Sequence, residues 1–91
     1  MPEIRRMVTI RNKLGLHARA ATKLAKLTHQ FEASIHVRQG DKKVDAGSVM
    51  GLMLLASQQG REIEIIASGN EAEAAMNAIE QLIQDKFDED A

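Results

Sequence analysis

Hydrophobic and polar positions alternate at both ends of the chain and recur at helical spacing between them. Ile4, Arg6, Val8 and Ile10 alternate with Arg5, Met7 and Thr9, which predicts a strand with one largely apolar face. From about residue 18 to 28 the period changes: Ala20, Ala21, Leu24, Ala25 and Leu27 fall on one helical face, and Lys23 and Lys26 towards the other. Residues 33–38 return to alternation with Ile35 and Val37 inward. Gln39-Gly40-Asp41-Lys42 reads as a hairpin turn and Lys43-Val44-Asp45 as a short returning strand. Ser48 can cap a helix over about 49–56, followed by a loop that ends at Gly60. A further strand runs over 61–67, with Ile63, Ile65 and Ala67 inward and Glu62 and Glu64 outward. Asn70 opens the last helix with Glu73 as its capping-box partner, and Ala72, Ala75, Met76, Ile79, Leu82 and Ile83 form its inward stripe. The acidic stretch 85–91 reads as a fraying tail.

The predicted order is therefore β-α-β-β-α-β-α. Strands with one apolar face need a cover, and three helices with one apolar stripe each supply it. The fold class expected is α+β, an open-faced sandwich with a four-stranded, mostly antiparallel sheet covered on one side by three helices. Ninety-one residues without an internal repeat or linker read as one domain, 1–91.

Composition narrows the function classes. The absence of Cys removes disulfides and thiolate metal sites and suits a reducing cytosol. Charges interrupt the first ten residues, and the longest apolar block, Val49 to Ala56, is too short to span a bilayer. The expectation is a cytoplasmic protein without membrane insertion. The net charge of −1 hides a segregation: residues 1–45 hold ten Lys/Arg against four Asp/Glu, and residues 46–91 hold two against nine. One reading is an ordinary solvated surface; the other is a basic face that steers an acidic partner or an anion. With two Phe and neither Trp nor Tyr, few platforms exist for stacking bases, so nucleic acid is not expected as a partner.

The candidate chemistry lies in Gly15-Leu16-His17-Ala18-Arg19-Ala20-Ala21, where a turn delivers a histidine to the start of a helix. Helix starts attract anions through their free N–H groups and dipole. No Ser, Thr, Asp or Asn stands in this stretch to cap those groups, which leaves them for a ligand. A neutral His17 imidazole there suits nucleophilic attack on a phosphoryl group, and Arg19 can fork onto its oxygens, where a lysine lacks the planar fork. The plain alternative for each is a solvated surface residue. Ser48 reads as the N-cap of the middle helix. Val49, Met50, Met53 and Leu54 make the middle helix apolar on more than one side, so Met50 and Met53 belong either to the core or to a contact surface, whereas Leu52 and Leu55 read as core. His29 and His36 have no ligand spacing with His17, and Glu32, Asp41 and Asp45 form no acid/base pair, so no metal site is assigned.

Two stretches carry a family resemblance. Gly15-Leu16-His17-Ala18-Arg19 resembles the active-site loop of the HPr phosphocarriers of the bacterial phosphotransferase system, and Gly47-Ser48-Val49-Met50-Gly51-Leu52-Met53 resembles their second signature, about thirty residues on. Asn12-Lys13-Leu14-Gly15, Gly60-Arg61-Glu62-Ile63-Glu64 and the ending Phe87-Asp88-Glu89-Asp90 resemble the nitrogen-related branch. The resemblance implies a carrier that is itself a substrate of transferases rather than an enzyme, needing no cofactor. It implies that His17 takes a phosphoryl group on Nδ1, with Nε2 left free, from phospho-enzyme I, originating in phosphoenolpyruvate, and passes it to a IIA-type protein of a nitrogen-related regulatory system. It further implies that Arg19 stabilises the phosphoryl group, that Val49, Met50, Gly51 and Met53 face the partners, and that a serine kinase acts on Ser48 in some branches. A monomer is expected. The chain departs from the family at Ala20, where proline is usual; alanine keeps the helix but fixes its first turn less. A sugar-type HPr, a regulatory docking module of the same fold and an unrelated ligand- or metal-binding sandwich remain as alternatives.

Overall fold

Burial follows the alternation of the strands. The computed structural model describes residues 3–90, and in it β1 (Glu3–Thr9), β2 (Ser34–Gln39), β3 (Lys42–Asp45) and β4 (Glu62–Ser68) form one sheet in the order β1-β4-β2-β3. Every pairing is antiparallel, so the expected sheet stands. Val8 lies opposite Ile63, Val37 opposite Ile65 and Ile35 opposite Ala67, and this buried face is the one the helices cover. On the other face Arg5, Arg38 and Glu64 remain polar, and Glu64 accepts ion pairs from Arg5 (3.3 Å) and Arg38 (3.1 Å). Ile66 is buried on this open face, flanked in register by Arg5 and His36 on the two neighbouring strands. The β2–β3 hairpin turns on Gly40-Asp41, where Gly40 takes φ +60, a value its missing Cβ permits without strain.

Three helices supply the cover: α1 (Ala18–Thr28), α2 (Val49–Leu54) and α3 (Ala72–Gln84). Ala20, Ala21, Leu24 and Ala25 of α1 and Ala72, Ala75, Met76, Ile79 and Ile83 of α3 meet the sheet in one cluster; Leu27 and Leu82 lie at its margin. Ala20 is fully buried there. Helix α2 ends two residues short of the expected position, because Ala56 takes φ 50 and turns the chain away.

Two expectations about the chain's second half need correction. Asn70 does not cap α3: the cap position is Glu71, and no capping box with Glu73 forms. Glu71 instead binds the loop before β2, its carboxylate accepting from the Glu32 N–H (2.7 Å) and its own N–H donating to the Glu32 carbonyl (3.0 Å). The acidic tail, expected to fray, is held against the body of the protein as far as Glu89. Lys86, Phe87 and Asp88 form one left-handed turn, with φ of 57, 54 and 64, and Phe87 is fully buried in the core. Ala91, the last residue of that expected tail, lies outside the described residues. Of the two readings left open for the charge segregation, the structure favours the ordinary mixed surface, because the two charged halves fold against each other. Arg6 pairs with Glu80 (2.7 Å) and Lys23 with Asp88 (3.6 Å), so segregation along the chain does not become a purely basic face.

Candidate functional site at the start of the first helix

The loop from β1 to α1 is fixed at both ends before it reaches His17. Ile10 N–H donates to Arg61 and Gly60 N–H to Ile10, and Leu16 N–H donates to the Ser57 carbonyl (2.9 Å). Gly15 takes φ +68, and a Cβ built on it would stand 2.3 Å from the Ser57 carbonyl oxygen. Only glycine allows this approach, which ties the His17 loop to the exit of α2. Gly15→Ala is therefore expected to destabilise the protein by about 1–3 kcal/mol through left-handed strain and the displaced Ser57 contact. Denaturant unfolding checks this, and an unchanged midpoint would contradict it.

His17 occupies the cap position of α1 in extended conformation, and its own ring does the capping: the Arg19 N–H donates to Nδ1 (3.3 Å). This corrects the expectation of an uncapped start. A side chain that sequence preference does not rank among caps accepts the second helical N–H, which brings Nδ1 to the positive end of the helix. No acidic residue stands in the first turn to oppose that end.

The other ring nitrogen is not free in this state. Nε2 is hydrogen-bonded to Glu89 Oε2, from the tail that sequence reasoning left to solvent. The His17 side chain is 26 % exposed and that of Glu89 12 %. Asn12, fully buried, donates from Nδ2 to the Gly15 carbonyl (2.7 Å) and to Glu89 Oε1 (3.0 Å), while its Oδ1 has no partner among the described residues. Burial works to raise the Glu89 pKa. Hydrogen bonds from the His17 ring and Asn12, with the charge of Arg19 and that of the His17 ring whenever it is protonated, outweigh it and hold the carboxyl below its ordinary value of 4.5. Lys13, Arg19 and Lys23 line a groove of about 460 Å³ together with Asp88 and Glu89, so the chain's own acids already answer the basic charge beside His17. Glu89 and Asn12 are the site residues that the sequence reading missed. Phe87, one of only two aromatic residues in the chain and set in an acidic run, was the available signal.

Helix α2 packs beside α1. Ser48 caps it, its Oγ accepting from the Gly51 N–H (3.0 Å), and the residue is exposed. Leu52 and Leu55 are buried, whereas Met50 (77 % exposed), Met53 and Leu54 face solvent, which settles the two methionines as surface rather than core. Val49 and Gly51 are half-buried. Leu14, 71 % exposed on the His17 loop, is a further large apolar side chain on the surface. Among the described residues no group of three His, Asp or Glu side chains is placed to hold a metal, and no helix is long and apolar enough to cross a membrane.

The family model described as "PTS HPr component phosphorylation site" matches residues 4–85. The chain belongs to the HPr family. Among HPr-family relatives, it is 52 % identical to phosphocarrier protein NPr of Shewanella violacea over 98 % of each chain. It is 41 % identical to phosphocarrier protein NPr of Escherichia coli K12, over 96 % of this chain and 98 % of that one. In three dimensions it is similar to HPr-C-His from Thermoanaerobacter tengcongensis, with a TM-score of 0.90, 38 % identity and full coverage of both chains. HPr-family proteins are phosphotransferase-system phosphocarriers, carriers rather than catalysts, and the NPr name of two of these relatives supports the nitrogen-related reading.

Proposed function

We propose that this chain accepts a phosphoryl group on Nδ1 of His17 from phospho-enzyme I, drawn originally from phosphoenolpyruvate, and passes it to a IIA-type protein of the nitrogen-related regulatory phosphotransferase system. The observation that carries this reading is the placement of Nδ1 at the mouth of α1, against the Arg19 N–H. In transfer the Nδ1 lone pair attacks phosphorus as the donor's N–P bond breaks. The Arg19 N–H, released from the ring, is then free to bind a phosphoryl oxygen. Phosphoryl transfer asks mainly for in-line positioning and charge stabilisation, both of which a helix start and a guanidinium supply without a cofactor. The chain is a substrate of the transferases on either side, acting as a cytoplasmic monomer.

Val49, Met50, Gly51 and Met53, with Leu14, form the surface proposed to meet both partners in turn. Flexible methionines suit a face that must fit more than one shape. Ser48 serves first as the α2 cap; phosphate added there by a serine kinase would suit the helix N-terminus as an acceptor, yet would put negative charge on the docking face.

The test is incubation of the purified chain with enzyme I and labelled phosphoenolpyruvate. The reading predicts acid-labile, base-stable label that a nitrogen-type IIA protein removes; label passed only to sugar-type IIA proteins would move the chain to the sugar branch. Arg19→Ala should take up label about tenfold more slowly while remaining folded, the consequence of losing about 1.5 kcal/mol of charge-assisted hydrogen bonding. A wild-type rate in that variant would remove Arg19 from the mechanism.

A further inference from the structure

We propose that Glu89, anchored by Asn12, is a positioning residue for phosphoryl transfer: it keeps the His17 ring proton on Nε2 and so leaves the Nδ1 lone pair for phosphorus. The inference rests on the carrier reading above and adds a residue to it. Two contacts select the same tautomer. The Arg19 N–H can donate only to an unprotonated Nδ1, and the Glu89 carboxylate can accept only from a protonated Nε2. A neutral imidazole has one proton to place, and both neighbours put it on the same nitrogen.

Glu89 is itself fixed. The buried Asn12 amide faces two acceptors, the Gly15 carbonyl and Glu89 Oε1, so its NH₂ group must point at them, and a single side chain sets the His17 loop and the carboxylate relative to each other. From the tail side, the left-handed turn Lys86–Asp88 delivers Glu89 to the ring. Phe87 anchors that turn in the core, and Lys23 Nζ donates to its carbonyl (2.8 Å). Three successive non-glycine residues at positive φ persist only where the surroundings over-determine them.

The carboxylate also suits the charge changes of the step. As the Nδ1–P bond forms, the donor ring keeps the electrons of the N–P bond that breaks, and the His17 ring, still protonated on Nε2, becomes cationic. Glu89, ionised because its hydrogen bonds outweigh its burial, faces that cation. In onward transfer the N–P electrons return to Nδ1, and the ring leaves as a neutral imidazole with its proton still on Nε2. No proton need be exchanged with solvent in either direction.

Nitrogen NMR of the His17 ring in the full-length, ¹⁵N-labelled protein at neutral pH reads the tautomer directly. Wild type and Asp90→Asn, which alters a neighbouring tail charge, should both show the Nε2–H form. Glu89→Ala should shift the ring towards a mixture of tautomers and slow phosphoryl uptake from enzyme I by on the order of tenfold, as for other partners that orient a histidine. Ring signals unchanged in folded Glu89→Ala would overturn the proposal whatever the rate, and a shifted ring with an undiminished rate would overturn its role in transfer. Wild-type protein that takes up no phosphoryl group would sink the carrier reading, while the ring spectra would still decide what Glu89 does to the tautomer.

Discussion

His17→Asn is expected to abolish phosphoryl uptake from enzyme I while leaving the fold and the start of α1 intact. Asparagine is among the strongest N-cap residues, so its side chain can accept the Arg19 N–H in place of the ring. What it cannot supply is a basic nitrogen lone pair, since the amide nitrogen is not nucleophilic and the amide oxygen forms no stable phosphoryl adduct. This substitution therefore separates capping from chemistry better than alanine, which removes both. Label incorporation and thermal unfolding are the two measurements. Loss of all label with Tm within a few degrees of wild type is the expected pair of results. Persistent label in this variant would place the acceptor elsewhere.

The largest effect on stability is expected from Phe87→Ala. Phe87 is fully buried in the cluster made by α1, α3 and the sheet. Truncating a buried phenylalanine costs about 3 kcal/mol or more, from lost transfer free energy and an imperfectly filled cavity. In a chain of this length that lowers Tm by about 12–24 °C. The same substitution should free Glu89 from His17, because the turn that presents the carboxylate is held to the core by this ring. Unfolding calorimetry together with the His17 ring signals tests both consequences. A stability change below about 0.5 kcal/mol, of the size seen for surface substitutions, would mean that the tail is no part of the core.

That tail marks the limit of what could be read from the sequence. Alternation over residues 4–10 and 61–67 specified which face of each strand is buried, because a slip of one residue would have put Ile63 and Ile65 in water. The α1 stripe, the Ser48 cap and the Gly40-Asp41 hairpin are local signals, and they led to the right elements. Met50 and Met53 were ambiguous, since periodicity does not distinguish a buried helix face from a docking one. The Asn70–Glu73 capping box was overridden by Glu71 binding residue 32, a contact between distant segments that no local pattern encodes. Phe87 and Glu89 were missed for a related reason. Their placement depends on three left-handed non-glycine residues, a conformation that propensity disfavours, in a run of acids that otherwise reads as solvated.

The sequence pointed to where the candidate site lies but not to how it is held. His17 and Arg19 were singled out by an imidazole and a guanidinium at an expected helix start together with the resemblance of residues 15–19 and 47–53 to the HPr signatures. That the imidazole would cap its own helix through one nitrogen and meet a carboxylate through the other depends on φ and ψ at His17 and on the docking of Phe87. The charge segregation behaved likewise. Its basic half does border His17, through Lys13, Arg19 and Lys23, yet Asp88 and Glu89 return from the acidic half to the same groove.

The most direct test of the account is to phosphorylate the ¹⁵N-histidine-labelled protein with enzyme I and phosphoenolpyruvate and to locate the new N–P bond by phosphorus–nitrogen coupling. The account predicts coupling to Nδ1 of His17 alone, with a proton retained on Nε2. Coupling to Nε2, or to a ring nitrogen of His29 or His36, would contradict it.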